Sequence, residues 1–250
     1  MVVLVHGVGL HKEMWNNWIP VLSRDFCVLT YDLLGHGGSG NPPGERSATV
    51  FCDQLQHLLD ALGIQTFSLV GFSIGAVIAQ AFAALYQERL NHVVFLHGVY
   101  KRTEEQCAAV RERYAITRDQ GPMATVELAI KRWYSPAYID ANPQRMDELR
   151  RVFSEHTDDG YLKAYRFFCY AEEEMRQFDM SGVKVSSLVL TGGAERGSTP
   201  AMSEALAADL PNATLIINPG HLHMAPDEHS DLLAKQVLSF LLENPRHTTT

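Results

Sequence analysis

The segment Leu69-Val70-Gly71-Phe72-Ser73-Ile74-Gly75 carries an apolar, strand-forming run into a helix-forming one through Gly-x-Ser-x-Gly. A strand that turns abruptly into a helix forces the residue at the corner into strained backbone geometry, and small neighbours relieve the crowding. Here Ser73 occupies the corner and Gly71 and Gly75 are the small neighbours. Such a turn exposes the hydroxyl at the carboxyl end of the strand, and the new helix points its first free N–H groups at any oxyanion formed there. So short a pattern also occurs in inert turns, which makes its flanks decisive. Phe67-Ser68-Leu69-Val70 reads as a buried strand, and Ala76 to Leu85 as an apolar helix. Ser73 is therefore the candidate nucleophile, and the N–H of Ile74 a candidate oxyanion donor.

The same alternation extends along the chain. Val2 to Val5, Phe26 to Tyr31, Phe67 to Val70, His92 to Leu96, Ser187 to Thr191 and Ala213 to Ile217 read as strands. Helices are expected over Ser47 to Leu62, Ile74 to Tyr86, Thr199-Pro200 to Asp209, and Ser230 to Leu242. Strands that alternate with helices imply an α/β fold with a mostly parallel, doubly covered sheet. The alternation fails between Lys101 and Asp179. Charged helical patterns there run over Thr103 to Arg118, Pro122 to Tyr134, Pro143 to Glu155 and Gly160 to Glu174, broken by Gly121-Pro122, Ser135-Pro136, Asn142-Pro143 and Asp158-Asp159-Gly160. This predicts a core of residues 1–100 and 180–250 interrupted by a helical cap over 101–179. An insertion above the carboxyl ends of the strands would act as a lid over a pocket.

A length of 250 residues suits one such core with a lid, and a charged fraction of 20% is a globular value; only Arg246 to Thr250 reads as a loose tail. The net charge of -8, with scattered Lys and Arg, argues against nucleic acid or an anionic membrane as partner and leaves a small neutral or anionic molecule. Cys27, Cys52, Cys107 and Cys169 lie far apart without C-x-x-C pairing, which predicts reduced, mostly buried thiols and neither zinc nor disulfides. The apolar start, Met1 to Val5, is too short to span a membrane and lacks the basic lead of a signal peptide, so a cytoplasmic location is expected.

A nucleophilic serine needs a base near it in space. Asn218-Pro219-Gly220-His221-Leu222-His223-Met224 follows the last strand and offers two imidazoles, which physical chemistry alone does not separate. The base needs an acid on its Nδ1–H. Glu195 is the only carboxylate in the loop Gly192 to Pro200; the plain alternative is a solvated glutamate paired with Arg196. The first strand ends in His6-Gly7-Val8-Gly9, where glycine lets the backbone approach a reacting carbonyl, so the N–H of Val8 is the second oxyanion donor. Asp32 and His36 are expected to stabilise their Gly-rich turn rather than to react. His97 ends the strand before the cap and faces the site region, where it either contacts substrate or is a satisfied buried histidine. Trp15, Trp133, Tyr134, Tyr161 and Phe168 are candidates for the pocket wall.

These motifs together resemble the α/β-hydrolase superfamily over essentially the whole chain. His6-Gly7 resembles its oxyanion segment, Tyr31-Asp32-Leu33-Leu34-Gly35-His36-Gly37-Gly38-Ser39 its D-x-x-G-x-G-x-S turn, and Gly71 to Gly75 its elbow. Within it, Arg132-Trp133-Tyr134-Ser135-Pro136 and Gly160-Tyr161-Leu162-Lys163-Ala164-Tyr165 are similar to stretches of 3-oxoadipate enol-lactonase-like proteins. The resemblance implies the order Ser73, Glu195, His223, and selects His223, the histidine followed by methionine, as the base. His221 is left as a pocket or supporting residue.

Three departures stand out. Glu195 occupies a position where aspartate is usual, Ala76 replaces a second glycine after the elbow, and the His-Gly strand begins at the first residues, where relatives usually carry two more strands. Either the chain is shortened or the sheet has lost an edge, which would leave the Phe26 to Tyr31 strand open to pairing with another chain, as in a homodimer.

The expected reaction is acyl transfer from a small ester or lactone without metal or organic cofactor: Ser73 attacks, His223 shuttles the proton, Glu195 orients it, and Val8 and Ile74 hold the oxyanion. Carbon-carbon bond or amide hydrolysis by the same triad, and an inactive ligand receptor, are the alternatives. His97, Trp133 and His221 are the candidate substrate contacts.

Overall fold

Runs of Val, Leu, Ile and Phe four to seven residues long form the strands β1 (Val2–Val5), β2 (Val28–Tyr31), β3 (Phe67–Phe72), β4 (Leu90–Leu96), β5 (Ser186–Gly192) and β6 (Ala213–Asn218). The computed structural model describes residues 1–156 and 158–243, so the expected loose tail, Arg246 to Thr250, lies outside the described residues. Every strand pairing is parallel, in the order β2-β1-β3-β4-β5-β6. All residues of β1 and β3 are buried, which a parallel sheet achieves only when helices cover both faces. The helices outside the 101–179 segment are α1 (Ile19–Leu22), α2 (Ala48–Ala61) and α3 (Ile74–Tyr86) before it. Within it come α4 (Glu104–Gln120), α5 (Val126–Trp133), α6 (Pro136–Ala141), α7 (Pro143–Glu155) and α8 (Asp158–Met175), and after it α9 (Pro200–Asp209), α10 (Ala225–Glu228) and α11 (Ser230–Glu243).

Register is what builds a site. Val5 lies opposite both Tyr31 and Gly71, Phe72 opposite Leu96, Leu96 opposite Leu190, and Gly192 opposite Asn218. The loops that follow β1, β3, β5 and β6 therefore leave the sheet at one edge, side by side. They carry Val8, Ser73, Glu195 and His223.

Local chemistry explains the helix boundaries. Ser47 caps α2 by accepting from Val50 N–H at 3.1 Å, and Gly63 closes it at φ 69°. Thr103 and Gln106 form a reciprocal capping box at the start of α4. The five helices α4 to α8 follow one another between β4 and β5, and α8 packs against α4 and also against α2 and α3 of the core.

Several boundaries differ from the sequence reading. The strand expected from Phe26 begins at Val28, because Phe26 N–H bonds back to Leu22 O at 3.0 Å and stays in the turn after α1. β3 continues through Gly71 to Phe72, and α1, α6 and α10, four to six residues each, show too little period to be read from sequence. Of the four free thiols, Cys52 and Cys169 are buried, but Cys27 is exposed in the loop before β2. Among the described residues no helix is long and apolar enough to cross a membrane.

Candidate active site

Ser73 sits at φ 56° and ψ -113°, outside the ordinary regions for a residue with a side chain. The strain follows from how closely β3 and α3 approach. A methyl group on Gly71 would lie 2.1 Å from Gly75 O, and one on Gly75 would lie 2.5 Å from Val5 O. The Ser73 N–H is tied to Leu96 O at 3.0 Å, which fixes the corner against β4.

His223 reaches this corner from the loop after β6. Its Nε2 is 3.2 Å from Ser73 Oγ, and its Nδ1 is 2.7 Å from Glu195 Oε2. A carboxylate can only accept, so Nδ1 carries the proton and Nε2 presents a lone pair to the serine hydroxyl. Ser73 and Glu195 are 4% and 6% exposed, so the charge and hydrogen bonds act with little solvent screening.

Glu195 answers the question raised by its extra methylene by folding back on its own loop. Oε1 accepts from Gly197 N–H at 2.7 Å and from Ser198 N–H at 3.3 Å, while Oε2 accepts from His223 and, at 3.3 Å, from Nδ1 of His97. Burial opposes its ionisation, but the charge and hydrogen bonds of His223, followed by those of His97, outweigh it and hold the carboxyl well below the usual carboxylate range. Arg196, the alternative partner, is exposed.

The loop after β1 is supported by two neutral histidines. His6 donates from Nδ1 to Gly7 O at 2.8 Å and accepts Leu33 N–H at Nε2 at 2.9 Å; His36 accepts Gly9 N–H at Nε2 at 3.1 Å. Burial pushes the His6 imidazole down to about 4 and that of His36 well below its ordinary value, which keeps those acceptor lone pairs available. Asp32 takes Lys12 N–H at 2.7 Å and Gly38 N–H at 2.9 Å. The Gly-rich turn thus supports the neighbouring loop as well as itself. Neither Val8 nor Ile74 N–H is engaged by another described residue.

Ser73, His223 and Glu195 open onto a cavity of about 230 Å³ walled by Val8, Trp133, Phe153, Tyr161 and Phe168. Of the expected pocket residues, Trp133 lines it, whereas His97 and His221 do not. His97 is fully buried behind Glu195, and His221 stacks on His229 with ring centroids 3.9 Å apart. Trp15 and Tyr134 are also packed elsewhere: Trp15 lies edge-on to Trp18, and Tyr134 donates to Asp227 at 2.6 Å.

Asp227 was not legible from the sequence. With its neighbour Glu228 it ties the His223 loop to the helical segment: Asp227 also accepts from Arg145 Nε at 2.8 Å, Glu228 accepts from the backbone and hydroxyl of Ser135, and Met224 N–H donates to Trp133 O at 2.9 Å. Two adjacent acids at the end of the short helix α10 are the only signal.

Among the described residues, His97, Glu195 and His223 offer ligand atoms within 4.8 Å of one another, the single grouping close enough to hold a metal, yet those atoms already hydrogen-bond each other. The arrangement can deprotonate a hydroxyl, attack a carbonyl and return a proton to the leaving group.

Comparison with known proteins bears on the family and the fold. The sequence profile of the alpha/beta hydrolase fold matches residues 1–230. An (E)-2-((N-methylformamido)methylene)succinate hydrolase of Acinetobacter baylyi is 29% identical over 225 residues, covering 89% of this chain and 83% of the relative. 3-Oxoadipate enol-lactonase 2 of the same organism is 25% identical over 222 residues, covering 88% and 81%. The crystal structure of the enol-lactonase from Burkholderia xenovorans LB400 superposes with a TM-score of 0.88 at 27% identity, over 96% of this chain and 90% of that one.

Proposed function

Since the chain belongs to the α/β-hydrolase family, we propose that it is a serine hydrolase that cleaves a small, carboxylate-bearing ester or lactone through an acyl-enzyme. The observation that carries this reading is the unbroken relay from Ser73 Oγ through His223 to Glu195, at 3.2 and 2.7 Å. Ser73 attacks the carbonyl as His223 takes its proton, the N–H groups of Val8 and Ile74 receive the oxyanion, and His223 returns the proton to the leaving oxygen. Water activated by His223 then releases the acid. No step calls on a metal or an organic cofactor. The helices from α4 to α8 serve as a lid that shapes the pocket and excludes water.

The carboxylate is inferred from the wall. Arg102, Arg113 and Arg132 all line the cavity, and none forms an ion pair with a described residue. Arg102 donates to Phe168 O at 2.8 Å, and the Arg132 guanidinium lies 5.9 Å from the Trp133 ring. Burial lowers the affinity of Arg132 for its proton, and Arg113 lowers it further. Partly buried cations without counter-ions favour an anionic ligand. The two curated relatives are named for a succinate derivative and a 3-oxoadipate lactone.

A fluorophosphonate probe tests the reading: Ser73 is labelled and S73A is not. A panel of short esters, lactones, amides and vinylogous diketones, each with and without a carboxylate, then reads the bond and the charge. The name of the N-methylformamido relative is the specific reason to include amides. Failure of Ser73 to label favours a ligand receptor of the same fold.

A further inference from the structure

His97 leaves β4 at φ 49°, one of three described non-glycine residues with positive φ, along with Ser73 and Lys101. Strained backbone of this kind persists where the surroundings over-determine it, and it clusters at functional sites. The surroundings here are specific. The His97 N–H donates to Leu190 O at 2.9 Å, which locks the residue between β4 and β5, and its side chain is 0% exposed.

The ring meets Glu195 through Nδ1, 3.3 Å from Oε2, the oxygen that also serves His223. Because the carboxylate only accepts, His97 Nδ1 is the donor. Nε2 is then a bare lone pair, buried and without a partner among the described residues. Burial holds the imidazole below its ordinary value against the pull of Glu195, so the ring is neutral. The ionisable groups facing it are Glu195, His223 and His221. A buried lone pair left unsatisfied is a cost that packing alone would not select, since an apolar side chain would avoid it.

Glutamate has one more rotatable bond than aspartate, so its carboxylate needs more restraint to hold one orientation. Oε1 is held by Gly197 and Ser198; Oε2 is steered by His97. We propose that His97 is a positioning residue that fixes the carboxylate of Glu195 so that Oε2 stays aligned with Nδ1 of His223. The assignment rests on the serine-hydrolase reading above and adds to it a fourth member that never touches substrate.

The test uses H97M, which removes the donor while filling most of the volume, and H97N, which keeps an N–H at the place of Nδ1 and tolerates positive φ. On p-nitrophenyl acetate, H97M should lose roughly tenfold or more in kcat with little change in KM, and H97N should recover most of it. In an E195Q background the H97M loss should shrink, because the residue acts through Glu195. Should H97M not fold, H97A is compared with H97N in the same way. Unchanged kcat in H97M, or equal losses in H97M and H97N, overturns the inference, as does a full additional loss in the E195Q background. A wild type that resists fluorophosphonate overturns the triad reading and this one together; a reactive wild type with H97M labelled at the same rate overturns this one alone.

Discussion

The sheet and the helical segment from α4 to α8 are held by different physics. In the sheet, the central strands β1 and β3 are buried end to end and the elbow allows no added methyl group, with Gly71 and Gly75 approached to 2.1 and 2.5 Å by backbone. In the helical segment, a chain of rings from Phe153 through Tyr161 and Tyr165 to Tyr114 packs at centroid spacings of 5.5–5.9 Å. Its outer face is laced by ion pairs such as Arg150 with Glu127 and Asp147, and Arg151 with Glu155. Exposed pairs of that kind contribute little. Ile116, Met123 and Leu128 remain exposed there, and Ile116 and Leu128 also face the cavity. The comparison teaches a division of labour: Ser73, Glu195 and His223 stand on loops at the edge of the tightly packed sheet, while most of the cavity wall comes from the helical segment.

The largest expected effect breaks the chemistry and spares both regions. S73A should lose roughly a millionfold in kcat on p-nitrophenyl acetate with an unchanged melting temperature. Next, H223A should approach that loss while H221A costs little; equal losses measured in the same assay would undo the choice of base. At the seam between the regions, Asp227→Ala takes from Arg145 one of its two carboxylate partners, leaving Glu148, and removes the acceptor of the buried Tyr134 hydroxyl. It should cost about 1–3 kcal/mol in urea unfolding, and a value near zero would show that the seam is not structural.

A fourth prediction sharpens the contrast through pH. The unfolded chain protonates His6 near pH 6.5, whereas in the fold its pKa is about 4. Above pH 6.5 both states hold it neutral and the shift costs nothing; below that the unfolded chain takes up the proton first, and the loss of fold stability grows to about 3 kcal/mol as pH falls to 4. His36 acts in the same direction. The melting temperature should fall steeply between pH 6.5 and 4.5; a level profile contradicts it. The smallest effect belongs to the helical segment: R132M should raise KM about tenfold for a carboxylate-bearing ester, and leave a neutral one unchanged. Equal changes for both esters would remove Arg132 from charge recognition.

Much of this was legible before any coordinates, and the reason is local chemistry. Gly-x-Ser-x-Gly between strand and helix, the Ser47 cap, and the single carboxylate after β5 each state a backbone requirement within a few residues. The juxtaposition of Ser73, Glu195 and His223 followed from chain order once the superfamily was recognised. What escaped was tertiary. For His97 the sequence leaves substrate contact and a buried histidine open, and for His221 a pocket or a supporting role; what decides between them, burial and a stacked ring partner, are properties of neighbours distant in sequence. The ties from Asp227 and Glu228 to Tyr134, Ser135 and Arg145 span 82 to 93 residues, beyond the reach of any periodicity. Glu195 lay between the two cases: its loop was readable, its curl onto Gly197 and Ser198 was not.

The crowding beneath Ser73 has a consequence for descent. Both glycines are committed to bringing a strand and a helix within touching distance, so a lineage cannot trade them away without losing the architecture. The hydroxyl carries no such obligation. A descendant that abandoned turnover could replace that hydroxyl by hydrogen and keep everything else, and its history would be written in that single position.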